Sequence, residues 1–154
     1  MGEAFINQEL CDVKIRCEDK TFECHEVILA MRSPVFKTMF ASEMSEKKSG
    51  EVTIDNFSPE AVSEMLTFIY TGSCNITEHS EMAEELFRIA DMYNIQSLRN
   101  LCMDTLLFNM DVNNCMRLLG MGDLYKDVHL KDMALEMVVE NRGELVNSVN
   151  WQLR

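Results

Sequence analysis

The sequence predicts an α+β domain, a small sheet packed by helices, followed by an all-helical extension. Three observations point there. Residues 12–25 alternate apolar and polar side chains, the period of a strand. After residue 26 apolar residues recur three and four apart, the period of a helix, with one strand-like interruption at 51–54. Helix caps and stops (Ser-Pro, Asp, Gly) then punctuate that helical pattern at regular intervals.

Taking the elements in order, Val13, Ile15 and Cys17 alternate with Lys14 and Arg16, which gives a half-buried strand. Glu18-Asp19-Lys20 is a polar break, and Phe22 and Cys24 resume the alternation, so 12–25 reads as a hairpin. A short helix is expected from Glu26 to Met31. Ser33-Pro34 opens the next, because proline at the first helical position loses only an N–H that has no partner there; Val35, Phe36, Met39 and Phe40 form its apolar stripe. Residues 42–50 are polar and read as an exposed loop, and Glu51–Ile54 as a strand. Ser58-Pro59-Glu60 combines a cap, a proline and a first-turn acid. The helix it starts carries Val62, Met65, Leu66, Ile69 and Tyr70 and stops at Gly72.

Four further helices are expected. Ser80 can cap the first, with Leu86, Phe87, Ile89 and Ala90 inward; Asn94 separates it from a second, with Ile95, Leu98, Leu101, Cys102 and Leu106 inward. Asp111 can cap a third (Val112, Cys115, Met116, Leu119), and Asp127 a fourth (Leu130, Met133, Ala134, Met137, Val138). Gly143 to Arg154 reads as a short final helix. The change in character near Asn109–Asp111 divides the chain into 1–109 and 110–154.

Composition narrows the function. The 154 residues carry 26 acidic and 14 basic side chains, a formal net charge of −12. Such a surface repels a phosphate backbone, so no nucleic-acid partner is expected, whereas a partner with a basic face would be attracted. No apolar run reaches membrane-helix length and no secretory leader is read, so the chain is expected to work in the cytoplasm or nucleus. The six cysteines are scattered without a CxxC pair and fall on apolar faces, which fits buried reduced thiols rather than zinc or disulfides. No HExxH, GxSxG or glycine-rich phosphate loop occurs, so no catalytic residue, metal or cofactor is expected. His25 ends a strand at the entry to Val27-Ile28-Leu29 and reads as a structural histidine bonded to the backbone at that corner. The thirteen methionines fall mostly on helical apolar stripes and read as core filling.

Cys11-Asp12-Val13, Phe22, His25, Leu29-Ala30-Met31-Arg32-Ser33-Pro34-Val35-Phe36 and Met39-Phe40 resemble the first half of a BTB/POZ domain. Phe68-Ile69-Tyr70-Thr71-Gly72, Ala90-Asp91-Met92-Tyr93, Leu98 and Cys102 resemble its second half, in the same order, over residues 3 to 109. The likeness is strongest to the speckle-type MATH-BTB adaptors, without their amino-terminal MATH domain. Residues 111–154, with Asp123-Leu124, Leu130-Lys131 and Trp151, resemble the helical extension called the three-box, the start of a BACK-like module.

The resemblance implies a symmetric homodimer that binds the amino-terminal domain of cullin-3 and links a substrate, held by a domain absent from this chain, to a ubiquitin ligase. Adaptors of this family carry hydrophobic-any-Glu in the loop after the second helix. Met44-Ser45-Glu46 matches it, with Met44 as an apolar tip and Glu46 as an acceptor or loop anchor; Tyr93 and Asn94 are expected to extend that surface. For the dimer, Phe5, Ile6 and Leu10 are expected to pack across the partner near Ile28, or alternatively to cap their own core. One departure is that the basic residue that BTB repressors pair with the aspartate matching Asp12 is replaced here by Glu26. Two acids are thus expected close together, against a repressor role.

Overall fold

The burial of β1 (Val13–Cys17) follows its alternation: Val13, Ile15 and Cys17 are buried, Lys14 and Arg16 exposed. In the computed structural model, which describes residues 10–41, 50–74 and 80–143, this strand is the centre of a three-stranded sheet of order β2-β1-β3. It pairs antiparallel with β2 (Lys20–Cys24), Ile15 opposite Phe22, and parallel with β3 (Glu51–Thr53), Ile15 opposite Val52. Glu18 closes the hairpin at φ +53°. A parallel pair needs a crossover, and the helices α1 (Glu26–Arg32) and α2 (Pro34–Ala41) lie in that crossover. Ser33, fully buried, joins them: its hydroxyl accepts from Phe36 N at 3.2 Å, capping α2, and donates to the Tyr93 carbonyl at 2.6 Å.

Helix α3 (Pro59–Thr71) begins as the sequence predicts. The Ser58 side chain accepts from Ala61 N with proline following, and Gly72 ends the helix at φ +81°, donating its N–H to the Phe68 carbonyl. Its inward face, Val62, Met65, Leu66 and Ile69, is fully buried. Helix α4 (Ser80–Met92) adds Leu86, Phe87, Ile89 and Ala90 to that core. Asn94, at φ +53°, and buried Ile95 then turn the chain into α5 (Gln96–Phe108), where Leu98, Cys102 and Leu106 are buried and Leu101 only partly so. Inside α5 the chain divides into two compact units, Met1–Cys102 and Met103–Arg154.

The second unit contains α6 (Cys115–Leu124) and α7 (Val128–Glu140), packed on one another. Asp111 caps the turn that runs into α6: its carboxylate accepts from Asn113 N and Asn114 N at 2.9 and 3.0 Å and its carbonyl from Cys115 N at 2.9 Å, while Asn114 is the last residue before the helix proper and makes no side-chain cap bond. Asp127 likewise caps α7, accepting from Leu130 N at 3.1 Å. The two helices approach closely at Gly122, where an added Cβ would lie 2.7 Å from Lys131 N. Met116 and Met133, expected inward, are 39% and 43% exposed. Met31 and Met92 are also exposed, so methionine here is only partly core filling. The expected final helix lies outside the described residues beyond Gly143.

Candidate functional site

Helix α1 has seven residues, and its sequence Val27-Ile28-Leu29-Ala30-Met31 is apolar all round. Such a helix cannot bury every side chain against one core. Leu29 is fully buried and Ile28 nearly so, at 9% exposed, while Val27 and Met31 are 65% and 73% exposed. These two are one turn apart and form a continuous outward apolar stripe. Leu10 is 93% exposed at φ +58°, so it does not cap its own core.

The start of α1 is held firmly. The Asp12 carboxylate accepts the Glu26 backbone N–H at 2.8 Å, placing an anion on the helix N-terminus. Asp12 thus meets Glu26 through the backbone of that residue. Beside it, the Tyr70 hydroxyl accepts from His25 N at 2.9 Å and lies 2.7 Å from His25 Nδ1. The other ring nitrogen, Nε2, is 3.8 Å from Cys11 Sγ. Burial raises the Tyr70 hydroxyl well above its usual range and pushes the neighbouring Cys24 thiol up to about 12. The Cys11 thiol is also raised, by burial and by the carboxylates of Glu23 and Asp12. Thiols shifted in that direction stay protonated and are poor nucleophiles. His25 is accordingly a structural residue that ties the α1 entry to the last turn of α3. All six cysteines are free, and among the described residues no group of three or more His, Cys, Asp or Glu could hold a metal ion.

Of the residues expected to meet cullin, Met44 and Glu46 lie outside the described residues, as do Phe5 and Ile6 of the expected dimer contact. Tyr93 is buried: its ring stacks on Phe36 at 4.7 Å, and burial pushes its phenol up to about 12. It can support a surface but its side chain cannot form one. Asn94, next to it, is exposed. Ile28 likewise faces inward, and the outward positions Val27 and Met31 were missed in the sequence. The signal was there: once Ile28 and Leu29 are assigned to the core, the helical period puts residues 27 and 31 on the far side.

No helix among the described residues is long and apolar enough to cross a membrane. A family model described as BTB/POZ domain matches residues 1–110. The chain is 34% identical over 152 residues to the mouse (Mus musculus) TD and POZ domain-containing protein 1-like, covering 99% of this chain and 42% of that protein. It is 34% identical over 151 residues to mouse TD and POZ domain-containing protein 4, covering 98% and 41%. The chain therefore spans less than half the length of these curated relatives. Among solved structures, the BTB domain of zebrafish PATZ1 superposes with a TM-score of 0.58 at 23% identity, covering 68% of this chain and 82% of that one. At that identity the likeness speaks for the fold.

Proposed function

Because the chain belongs to the BTB/POZ domain family, a family of protein-interaction modules, we propose that it is a homodimeric adaptor of the speckle-type MATH-BTB kind. In this reading it binds the amino-terminal domain of cullin-3 and brings a substrate, held by a domain outside this chain, to a ubiquitin ligase. It has no catalysis of its own and acts in the cytoplasm or nucleus. Residues 1–109 are the BTB/POZ module and 110–154 the helical extension.

The observation that carries the reading is Met44-Ser45-Glu46, a hydrophobic-any-Glu tripeptide in the segment between α2 and β3 of a BTB fold. Met44 would insert its tip in a partner pocket and Glu46 would accept donors beside it, with exposed Asn94 at the edge. The α1 stripe supports the dimer. A two-fold axis doubles each contact, and burying Val27, Met31 and Leu10 contributes about 1.5–3 kcal/mol per fully covered side chain before association costs. Phe5 and Ile6 would add to the same contact, with Ile28 beneath it.

Titrating the cullin-3 amino-terminal domain against wild type and Met44→Glu tests the adaptor. Binding by wild type alone is expected. Absence of binding at tens of micromolar would end the adaptor reading and leave a purely architectural module, which dimerises for a transcription or cytoskeletal protein. Equal binding by both proteins would discard the Met44 assignment. For the dimer, Met31→Asp or Phe5→Asp should sediment as monomer, and an unchanged dimer mass would refute that interface.

A further inference from the structure

The first turns of two helices and the outer strand enclose a cleft of about 610 Å³, lined by residues of β2, α3 and α4 and by none of α1. Its apolar part is Phe22, Pro59 and Met82, of which Phe22 and Met82 are half-buried. Around them stand Glu60 and Glu64, one turn apart on α3, and Glu81 and Glu85, one turn apart on α4, with Lys20 as the one cation among the described lining residues. Ser58 fixes Glu85: its N–H and its hydroxyl donate to the two carboxylate oxygens at 2.7 and 2.8 Å.

A preference for acids at helix starts accounts for half of this arrangement. Glu60 and Glu81 occupy first turns, where the helix dipole favours a negative charge, but that effect fades within one turn. Glu64 and Glu85 lie beyond it, and Glu85 is held there by the two Ser58 bonds. The cleft thus sets four carboxylates around an apolar hollow, on a protein already at −12. A cleft of this volume is the size of ordinary ligand sites. Its charge and its apolar floor together define the complementary occupant.

We propose that the cleft between β2 and the amino-terminal turns of α3 and α4 is a docking groove for a short peptide segment of a partner protein, in which one apolar side chain is flanked by lysine or arginine. The apolar side chain sits on Phe22, Pro59 and Met82, and the flanking cations meet the four glutamates. This assignment is independent of cullin binding and of the dimer, and either can fail without it.

The probe is a fluorescein-labelled synthetic peptide, Gly-Arg-Lys-Leu-Arg-Lys-Gly, followed by anisotropy against the whole chain at low salt. Replacing its leucine by serine should weaken binding about tenfold, since the apolar contact is lost while charge is kept. Glu60→Gln combined with Glu81→Gln should weaken it about fivefold. Glu23→Gln combined with Glu26→Gln, an equal charge change at residues of the same unit that do not line the cleft, should alter it less than about twofold by diffuse screening alone. Lys20→Gln should tighten binding. Met82→Ser, on a half-buried helical position, checks the floor without touching charge and should weaken only the leucine peptide. Equal losses for the two double variants, equal affinity for the leucine and serine peptides, or no anisotropy change at all would each overturn the proposal.

Discussion

The two units of this chain solve the problem of burial differently. In the first, a sheet and helices converge so that Ile15, Leu29, Phe36, Leu66, Phe87 and Leu98 are fully shielded from water. In the second, α6 and α7 meet through a thin seam of Cys115, Leu118, Leu130 and Ala134, and Gly122 lets the two backbones approach closely. The same helices leave Leu124, Val128, Leu135 and Val139 exposed at 72%, 69%, 45% and 53%. One unit is stabilised by large side chains that meet from three kinds of element, the other by the closeness of two helices. Volume should therefore matter most in the first, and backbone spacing most in the second.

The largest effect that tests this contrast is Phe36→Ala. The ring lies between Phe40 and Tyr93, and its loss should lower unfolding stability by about 3–5 kcal/mol in urea titration. A loss below about 1 kcal/mol would break the ranking of the two units. Next is Gly122→Ala, where the new methyl would press on the Lys131 backbone at 2.7 Å and 2.9 Å. The expected cost is about 1–3 kcal/mol, read as faster amide exchange in α6 and α7 while β1 keeps its protection. A smaller effect concerns pH. Burial pushes the Cys24 and Cys102 thiols from 9.0 up to about 12. The folded state thus keeps protons that the unfolded chain releases above pH 9. Their contribution is complete below that value and disappears as the pH rises toward 12. The urea midpoint at pH 10 should fall below that at pH 7.5, and a rise would contradict the burial of these thiols. The smallest effect is Leu135→Gln, which should change stability by no more than about 0.5 kcal/mol. A larger loss would mean that the outward stripe of α7 is covered in solution.

Much of the fold was legible because its signals are local. Ser58-Pro59 and Gly72 mark both ends of α3, the Val13–Cys17 alternation gives β1 its inward face, and Asp127 caps α7 as its position requires. Asp111 caps as its position suggests, but the regular helix starts only at Cys115, because an aspartate can cap the turn before a helix and only the backbone path decides where the helix proper begins. The candidate surfaces were less legible. Tyr93 follows an apolar run and could face either way; its ring settles against Phe36 because Ser33 anchors the Tyr93 carbonyl at 2.6 Å from a residue sixty positions away. Val27 and Met31 were hidden in a helix without a polar face, where pattern shows that something must stay outside but not which side. The acidic cleft brings together β2, α3 and α4, and no single stretch of sequence carries its shape.

The parallel pairing of Lys14 with Glu51 has a kinetic consequence. The hairpin of β1 and β2 can close within a few residues, but β3 reaches β1 only by closing the longer loop that contains α1 and α2. Joining β3 is thus the step of highest chain-closure entropy in the sheet and the natural bottleneck of refolding. Substitutions in the hairpin turn, which closes before that step, and in β3, which joins in it, should both slow the approach to the native state and change the rate of unfolding less.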